Sequence, residues 1–246
     1  MVGPAVTVRV NHPSTGLTRA DVQAVVGPGL DGLRLPKVEG PDEVREVGAW
    51  IAECEERQGL PLGGIALVCS LETALGVWRA VEIAQAHPRV LALTFGAVDF
   101  VRDVYLVVGA DGLETLYARS RLVLAARVAG LRPPIESVYA QLQDDEGFER
   151  STRQSRALGF FGRSAIHPRQ VPIINAVFTP TPEEVAQARQ IVEAASTAEA
   201  AGSGALQLPN GVFVDAPVVH RAEDVLRLAE ALAAAPGGQL PEQRSG

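Results

Sequence analysis

The amino-acid sequence predicts an α/β fold built on a parallel sheet, followed by a smaller C-terminal extension. Between residues 5 and 178, a short apolar segment is followed by a helical segment six times over. This alternation requires helical crossovers between parallel strands. Hydrophobic residues make up 47% of the chain but aromatic residues only 5%. We therefore expect a core made of Ala, Val, Leu and Ile.

Six segments are predicted to be strands because they are short, apolar and bounded by glycine, proline or asparagine. They lie at residues 5–10, 32–37, 64–71, 90–95, 136–139 and 160–166. The segments between them place apolar residues at helical spacing, and glycine or proline ends most of them. These predicted helices cover residues 18–26, 73–86, 113–129, 144–158 and 169–177. A further predicted helix begins at residue 41.

The last third of the chain has a different pattern. Thr181 and Glu184 have the spacing of a capping box, with Pro182 at the first helical position of an Ala-rich segment that runs to Ala200. Residues 206–214 are typical of a hairpin turned at an Asn-Gly pair, and residues 217–234 form an amphipathic helix. We expect a first domain over residues 1–178, an extension over 179–235 and a disordered tail over 236–246.

Composition and charge exclude several classes of function. The net charge of −7 and the pI near 5.2 argue against a nucleic-acid partner. No segment approaches the roughly 18 uninterrupted apolar residues of a membrane span, and the N-terminus has no basic-then-apolar signal. Cys54 and Cys69 fall in a predicted helix and a predicted core strand. We expect both to be buried free thiols of a cytoplasmic protein.

Two predicted strands are followed by an acid. Glu72 directly follows the strand at 64–71, and Asp99 follows the strand at 90–95 after Gly96 and Ala97. One strand–helix unit separates the acids, and the carboxyl ends of parallel strands are where α/β folds place their chemistry. Two carboxylates suit Mg²⁺, which takes one or two protein acids and keeps several waters. Alternatively, Glu72 is an acid favoured by the dipole of the helix that follows it.

Six short motifs lie along the chain in a fixed order. They occupy residues 8–11 (VRVN), 35–39 (LPKVE), 71–74 (LETA), 95–100 (FGAVDF), 162–168 (GRSAIHP) and 214–217 (VDAP). In this order and spacing the chain resembles the β subunit of citrate lyase and the related CoA-ester lyases of the HpcH/HpaI aldolase family. The family commonly has a lysine where Arg163 stands here, a change that keeps the charge but alters its geometry.

The resemblance implies a (β/α)₈ barrel of the TIM type, with a C-terminal extension that packs on a neighbouring subunit. Only six strand–helix units precede the extension in this sequence. We therefore expect a barrel that lacks its first two strands, and a homo-oligomer, either a dimer, a trimer or a hexamer.

The resemblance also implies an activity. It is the Mg²⁺-dependent cleavage of a short 3-hydroxyacyl-CoA, such as citryl-, malyl- or citramalyl-CoA, into a 2-oxo acid and an acyl-CoA by way of an enolate. Two alternatives stay open. One is a malate synthase-like condensation coupled to thioester hydrolysis. The other is a non-catalytic CoA-binding or assembly subunit, since two open sheet edges must be covered by something.

The same resemblance gives roles to the residues at the strand ends. Glu72 and Asp99 are expected to hold Mg²⁺, and Arg9 to face the developing enolate as a fixed cation. Gly96 and Ala97 have no bulk, so their backbone amides are expected to approach the substrate carboxylate. The alternative for Arg9 is an ordinary charge at a strand edge.

Four further residues are assigned roles, and for Lys37 and Asp215 two interpretations stay open. Lys37 contacts a CoA phosphate or forms an ion pair with Glu39, and Arg163 lies near CoA. Asp215 caps the final helix or reaches the site of a neighbouring subunit as an acid or base. His167 is expected to cap a strand end rather than to act in catalysis.

Overall fold

A computed structural model describes residues 4–109, 111–200, 206–207, 211 and 213–234. The chain divides into two compact units, residues 1–174 and 175–246. The tail at 236–246 and the Asn of the expected hairpin turn lie outside the described residues.

The first unit is organised by one curled parallel sheet, a half-barrel in which strand order follows chain order. Its strands are β1 (Thr7–Arg9), β2 (Gly32–Leu35), β3 (Ala66–Leu71), β4 (Val90–Phe95), β5 (Ile135–Glu136) and β6 (Gly162–Arg163). This confirms the predicted parallel α/β fold. Strands β5 and β6 are shorter than predicted because only two residues of each pair with a neighbour.

Helices connect the strands at nearly the predicted positions. They are α1 (Thr18–Val25), α2 (Pro41–Gln58), α3 (Ala74–Trp78), α4 (Ala80–Ala84), α5 (Ala97–Asp103), α6 (Leu116–Val128), α7 (Asp145–Leu158) and α8 (Gln170–Phe178). The segment predicted as one helix over 73–86 is two short helices that meet at Arg79, whose ψ of 16° is not helical. Helix α5 is not predicted by the sequence, because seven residues containing two valines and two aspartates have little helical propensity.

Sequential strand order and right-handed crossovers place these helices on one face of the sheet. Side chains alternate between the faces along each strand. On β2, Leu33 and Leu35 are fully buried and share the helix-covered face, whereas Arg34 between them lies on the other face. In the parallel register Arg34 is the partner of Arg9 on β1 and of Val68 on β3. The inner face of the half-barrel therefore carries two adjacent arginines.

The second unit contains a hairpin and two long helices. Helix α9 (Pro182–Ala200) begins at the predicted capping box. The Thr181 amide donates to Glu184 Oε2 at 2.8 Å, and the Glu184 amide donates to Thr181 Oγ1 at 3.2 Å. Strands β7 (Leu206–Gln207) and β8 (Phe213–Val214) pair antiparallel, and α10 (Ala216–Ala234) follows. Four buried residues form the apolar core of this unit: Ala188, Ile191, Val214 and Ala222.

Two composition-based expectations can be compared with the structure. Cys54 and Cys69 are both buried and unpaired, as expected, and burial raises the pKa of the Cys69 thiol to about 12. Within the described residues, none of the helices combines the length and the apolar character needed to cross a membrane.

A buried ion pair fixes α2 to the start of β3. Glu55 is fully buried, and its carboxylate accepts from the amides of Gly63 and Ile65 at 2.9 and 3.0 Å. It also accepts from both terminal nitrogens of Arg89, which enters from just before β4. A buried charge is tolerated only when it is paired in this way.

We predict that Glu55→Ala lowers the free energy of unfolding by about 3–5 kcal/mol, because it leaves Arg89 buried without a counter-ion. Urea denaturation measures the change. Glu53→Ala is the matched control, since Glu53 pairs with Arg19 at 2.9 Å on the exposed side of the same helix. It is expected to cost less than about 1 kcal/mol. Equal losses in the two variants would contradict the assignment.

Candidate active site

Two carboxyl groups meet at the carboxyl end of the sheet. Glu72 follows β3 directly, and Asp99 lies in the first turn of α5, just after β4. The two side chains are close enough for Asp99 to affect the ionisation of Glu72. Burial and the charge of Asp99 raise the pKa of Glu72 to about 6, although Lys37 and Arg9 act in the opposite direction. The structure thus brings together the two acids that the sequence proposed as metal ligands.

Gly96 is the residue that permits this approach. A Cβ atom at position 96 would lie 2.3 Å from Glu72 Cγ and 2.8 Å from its Cδ. No side chain fits there unless the Glu72 carboxylate moves. The sequence motif therefore contains a glycine for a packing reason.

The amides of Gly96 and Ala97 are already engaged. The Gly96 amide donates to the Leu71 carbonyl at 3.1 Å, so it is not available to a substrate carboxylate as the sequence analysis expected. The Ala97 amide donates to the Ser137 hydroxyl at 3.0 Å. Through this bond the segment after β5 fixes the start of α5 and, with it, the position of Asp99.

Lys37 is the cation closest to the carboxyl pair. Its backbone has φ = +50°, which is unusual for a residue other than glycine, and its Nζ lies 2.8 Å from Asp99 Oδ1. The expected alternative, an ion pair with Glu39, is wrong. Strained backbone of this kind occurs where the surrounding structure holds a side chain in a required place.

Arg9 and Arg34 complete the charged cluster. The charge of Arg9 opposes the rise in the pKa of Glu72 that burial and Asp99 cause. Burial lowers the pKa of Arg34, Glu72 opposes this shift and the charge of Arg9 adds to it. Arg34 was missed in the sequence analysis, although an arginine between two leucines of a predicted core strand was the available signal.

Arg163 lies deeper in the protein than a phosphate-binding role requires. Its guanidinium donates to the Ser137 carbonyl at 3.0 Å and to the hydroxyls of Ser151 and Thr152 at 3.0 and 3.2 Å. It also lies over the rings of Tyr139 and Phe148. Burial lowers its pKa to about 10. These three bonds use Nε and Nη1, so a phosphate contact would fall to Nη2.

A cavity of about 910 Å³ lies in the first unit and reaches α5 at Ala97 and Val98, although neither Glu72 nor Asp99 lines it. Phe95, Val98 and Val101 form part of its apolar wall, and Arg150 and Arg163 are among its charged lining residues. Its volume is typical of a site for a small organic ligand.

Asp103 of α5 has a structural contact, and so do His167 and Asp215 from the sequence analysis. Asp103 accepts from the Ala74 amide at 2.7 Å and so joins α5 to α3. His167 Nδ1 accepts from the Arg169 amide at 3.2 Å. In the second unit, Asp215 caps α10 by accepting from the Val218 amide at 3.3 Å.

The donor set fits a hard divalent cation. Two carboxylates converge, and among the described residues no group of three or more His, Cys, Asp or Glu side chains forms a metal-binding cluster. Zinc sites need three or four such ligands, whereas Mg²⁺ needs only one or two carboxylates and completes its shell with water. A divalent cation would also relieve the repulsion between Glu72 and Asp99.

Comparison with known proteins identifies the family of the chain. Residues 2–168 match the sequence model described as HpcH/HpaI aldolase/citrate lyase. The chain belongs to this family. The citrate lyase subunit beta of Leuconostoc mesenteroides subsp. cremoris is 40% identical over 224 residues, which are 91% of this chain and 74% of that protein. The mitochondrial citramalyl-CoA lyase of Rattus norvegicus is 33% identical over 241 residues, which cover 92% of this chain and 69% of that protein.

A solved structure shows the same fold. It is protein CitE from Mycobacterium tuberculosis in complex with magnesium, acetoacetate and coenzyme A. The two chains superpose with a TM-score of 0.74 at 29% identity, over 91% of this chain and 78% of that one.

We predict that Gly96→Ala lowers the affinity for Mg²⁺ at least about tenfold, because the new methyl group displaces the Glu72 carboxylate. A Mg²⁺ titration followed by calorimetry measures it. Gly162→Ala is the control, since a Cβ at that position meets nothing within 4 Å. Unchanged affinity in Gly96→Ala would rule out Glu72 as a ligand in this position.

The apparent affinity for Mg²⁺ is expected to depend on pH. Below a pKa of about 6 the Glu72 carboxyl group holds a proton that the cation must displace. The apparent Kd should therefore rise about tenfold for each pH unit below 6 and level off above it. Titrations from pH 5 to 8 test this, and a Kd that is constant across the range would contradict it.

Proposed function

We propose that the protein is a Mg²⁺-dependent CoA-ester lyase that cleaves a carbon–carbon bond in a short 3-hydroxyacyl-CoA. The observation that carries the proposal is the Glu72–Asp99 carboxyl pair, with Arg9 close enough for its charge to oppose the rise in the pKa of Glu72. Family membership supports the class of reaction, because the relatives compared above are a citrate lyase subunit and a citramalyl-CoA lyase.

In this proposal Glu72 and Asp99 hold the cation, and Gly96 keeps the Glu72 carboxylate in place. Mg²⁺, when bound, supplies a Lewis acid that polarises the hydroxyl or carbonyl oxygen of the oxo-acid half. Lys37 and the Asp103 contact restrain Asp99 and α5, so the ligands are positioned before substrate arrives.

The reaction breaks the bond between the carbon that bears the hydroxyl group and the α-carbon of the thioester. The hydroxyl proton leaves, the 2-oxo acid forms, and the electron pair remains as the enolate of the acyl-CoA, which is then protonated at carbon. Arg9 provides a fixed positive charge for the oxygen of this enolate. A preorganised charge of this kind lowers the barrier because it interacts most strongly where charge develops.

The acyl-CoA is proposed to reach the carboxyl pair through the cavity next to Ala97 and Val98. Its apolar wall suits the pantetheine arm, and Arg150 and Arg163 are the proposed phosphate contacts in a lining that also contains the acids Asp111, Glu114 and Asp144. Lys37 remains a candidate for a phosphate contact only if its ammonium leaves Asp99.

The finer features of the fold are proposals of the same kind. The free edges of β1 and β6 are where two further strands would close a (β/α)₈ barrel. The second unit is proposed to pack on a neighbouring subunit of a cytoplasmic homo-oligomer, with Asp215 available to that subunit's site.

Citryl-, malyl- or citramalyl-CoA should be cleaved in the presence of Mg²⁺, and Glu72→Gln and Asp99→Asn should each reduce kcat about 10²–10³-fold. Product analysis by chromatography distinguishes acyl-CoA, expected here, from free CoA, which indicates thioester hydrolysis. Asp42→Asn is the control, because Asp42 is an exposed acid on α2 that forms an ion pair with Arg45. Full activity in both site variants would falsify the proposal.

A further inference from the structure

Arg34 is a charged residue in the middle of a core strand. It lies between Leu33 and Leu35, which are fully buried, and is itself half-buried on the inner face of the half-barrel. Among the described residues its guanidinium makes no hydrogen bond and no ion pair within 4.0 Å. Placing an unpaired arginine in a core strand costs free energy. An anionic ligand would supply the missing partner.

The neighbours of Arg34 favour an anion at this place. In the register of the sheet it stands beside Arg9 on β1, and on its other side Val68 and then Ala92 continue the same row. Both of the latter side chains are small and uncharged. Glu72 is close enough to interact with Arg34 through its charge but not to pair with it.

The net charge of the whole cluster also favours an anionic ligand. Arg9, Arg34 and Lys37 are three cations around the two acids Glu72 and Asp99. A divalent cation raises this positive charge further. The oxo-acid half of a substrate with one carboxylate supplies one negative charge near the metal and leaves Arg34 without a partner. If the oxo-acid half carries a second carboxylate, that group supplies the anionic partner for Arg34.

We propose that Arg34 binds the distal carboxylate of a dicarboxylic 2-oxo acid and thereby determines which oxo acid the site accepts. This inference rests on the proposed lyase function and deepens it. A guanidinium can hold a carboxylate through two parallel hydrogen bonds, which a lysine ammonium cannot do. The distal carboxylate is remote from the bond that breaks, so Arg34 contributes to binding and to the choice of substrate.

Arg34→Gln and Arg34→Lys test the proposal by ligand binding, without turnover. Freshly prepared oxaloacetate serves as the dicarboxylate probe, pyruvate as the monocarboxylate and CoA as the phosphate-bearing ligand, each titrated calorimetrically with Mg²⁺ present. Arg34→Gln should weaken oxaloacetate binding about 10–100-fold and pyruvate binding less than about threefold. Arg34→Lys should lie between the wild type and Arg34→Gln, because it keeps the charge but not the paired hydrogen bonds.

Several results would overturn the assignment. Equal losses of affinity for oxaloacetate and pyruvate would mean that Arg34 acts only through its long-range electrostatic attraction for anions. A loss confined to CoA would make it a phosphate contact. A Mg²⁺ titration of each variant shows whether the metal site is intact, and Arg34→Lys serves alone if Arg34→Gln does not fold. Selective loss of oxaloacetate binding, together with no cleavage of any thioester by the wild type, would leave Arg34 assigned and refute the lyase proposal.

Discussion

Glu72 and Asp99 lie at the ends of neighbouring strands, where burial and the charge of Asp99 raise the pKa of Glu72. The structure around them compensates for this repulsion and fixes their position. Gly96 leaves room for the Glu72 carboxylate, and Lys37 holds Asp99 from a strained backbone. The carboxyl groups are therefore arranged for a cation before one binds, and such preorganisation favours a site with few protein ligands.

The strand ends that carry these groups are held by buried polar contacts. Arg119 on α6 donates to Glu136 on β5 at 2.7 Å and to Ser155 on α7 at 2.9 Å. The other oxygen of Glu136 accepts from the Ser137 amide, and the Ser137 hydroxyl in turn accepts from the Ala97 amide. A fully satisfied network of this kind is rigid. It connects the helix layer to the first turn of α5, where Asp99 lies.

The inner face of the sheet gives the site its electrostatic character. Arg9 and Arg34 stand side by side, with Lys37 above them at the strand end, so the site is cationic although the chain as a whole is acidic. Net charge alone therefore says little about which ligands a pocket accepts. A local excess of cations suits a substrate that carries carboxylates and phosphates.

The predictions that rest on local pattern were largely confirmed. The period of apolar residues placed β4 at its observed bounds, and the capping box placed the start of α9. Other features depend on contacts between distant residues. Helix α5 is too short and too poor in helix formers to be seen in the sequence, and its first amide is fixed by Ser137, 40 residues further along the chain.

The sequence by itself determined the order of strands and helices, and strand-end position identified Glu72 and Asp99 as a pair, because periodicity and strand-end position are local properties of the chain. Arg9 was joined to this pair only by the family resemblance. Only the tertiary structure decided that Lys37 pairs with Asp99 rather than Glu39, that the Gly96 amide is used within the sheet, and that Arg34 joins the site. These outcomes depend on strand register and on the left-handed backbone at Lys37, and neither is encoded in a short segment.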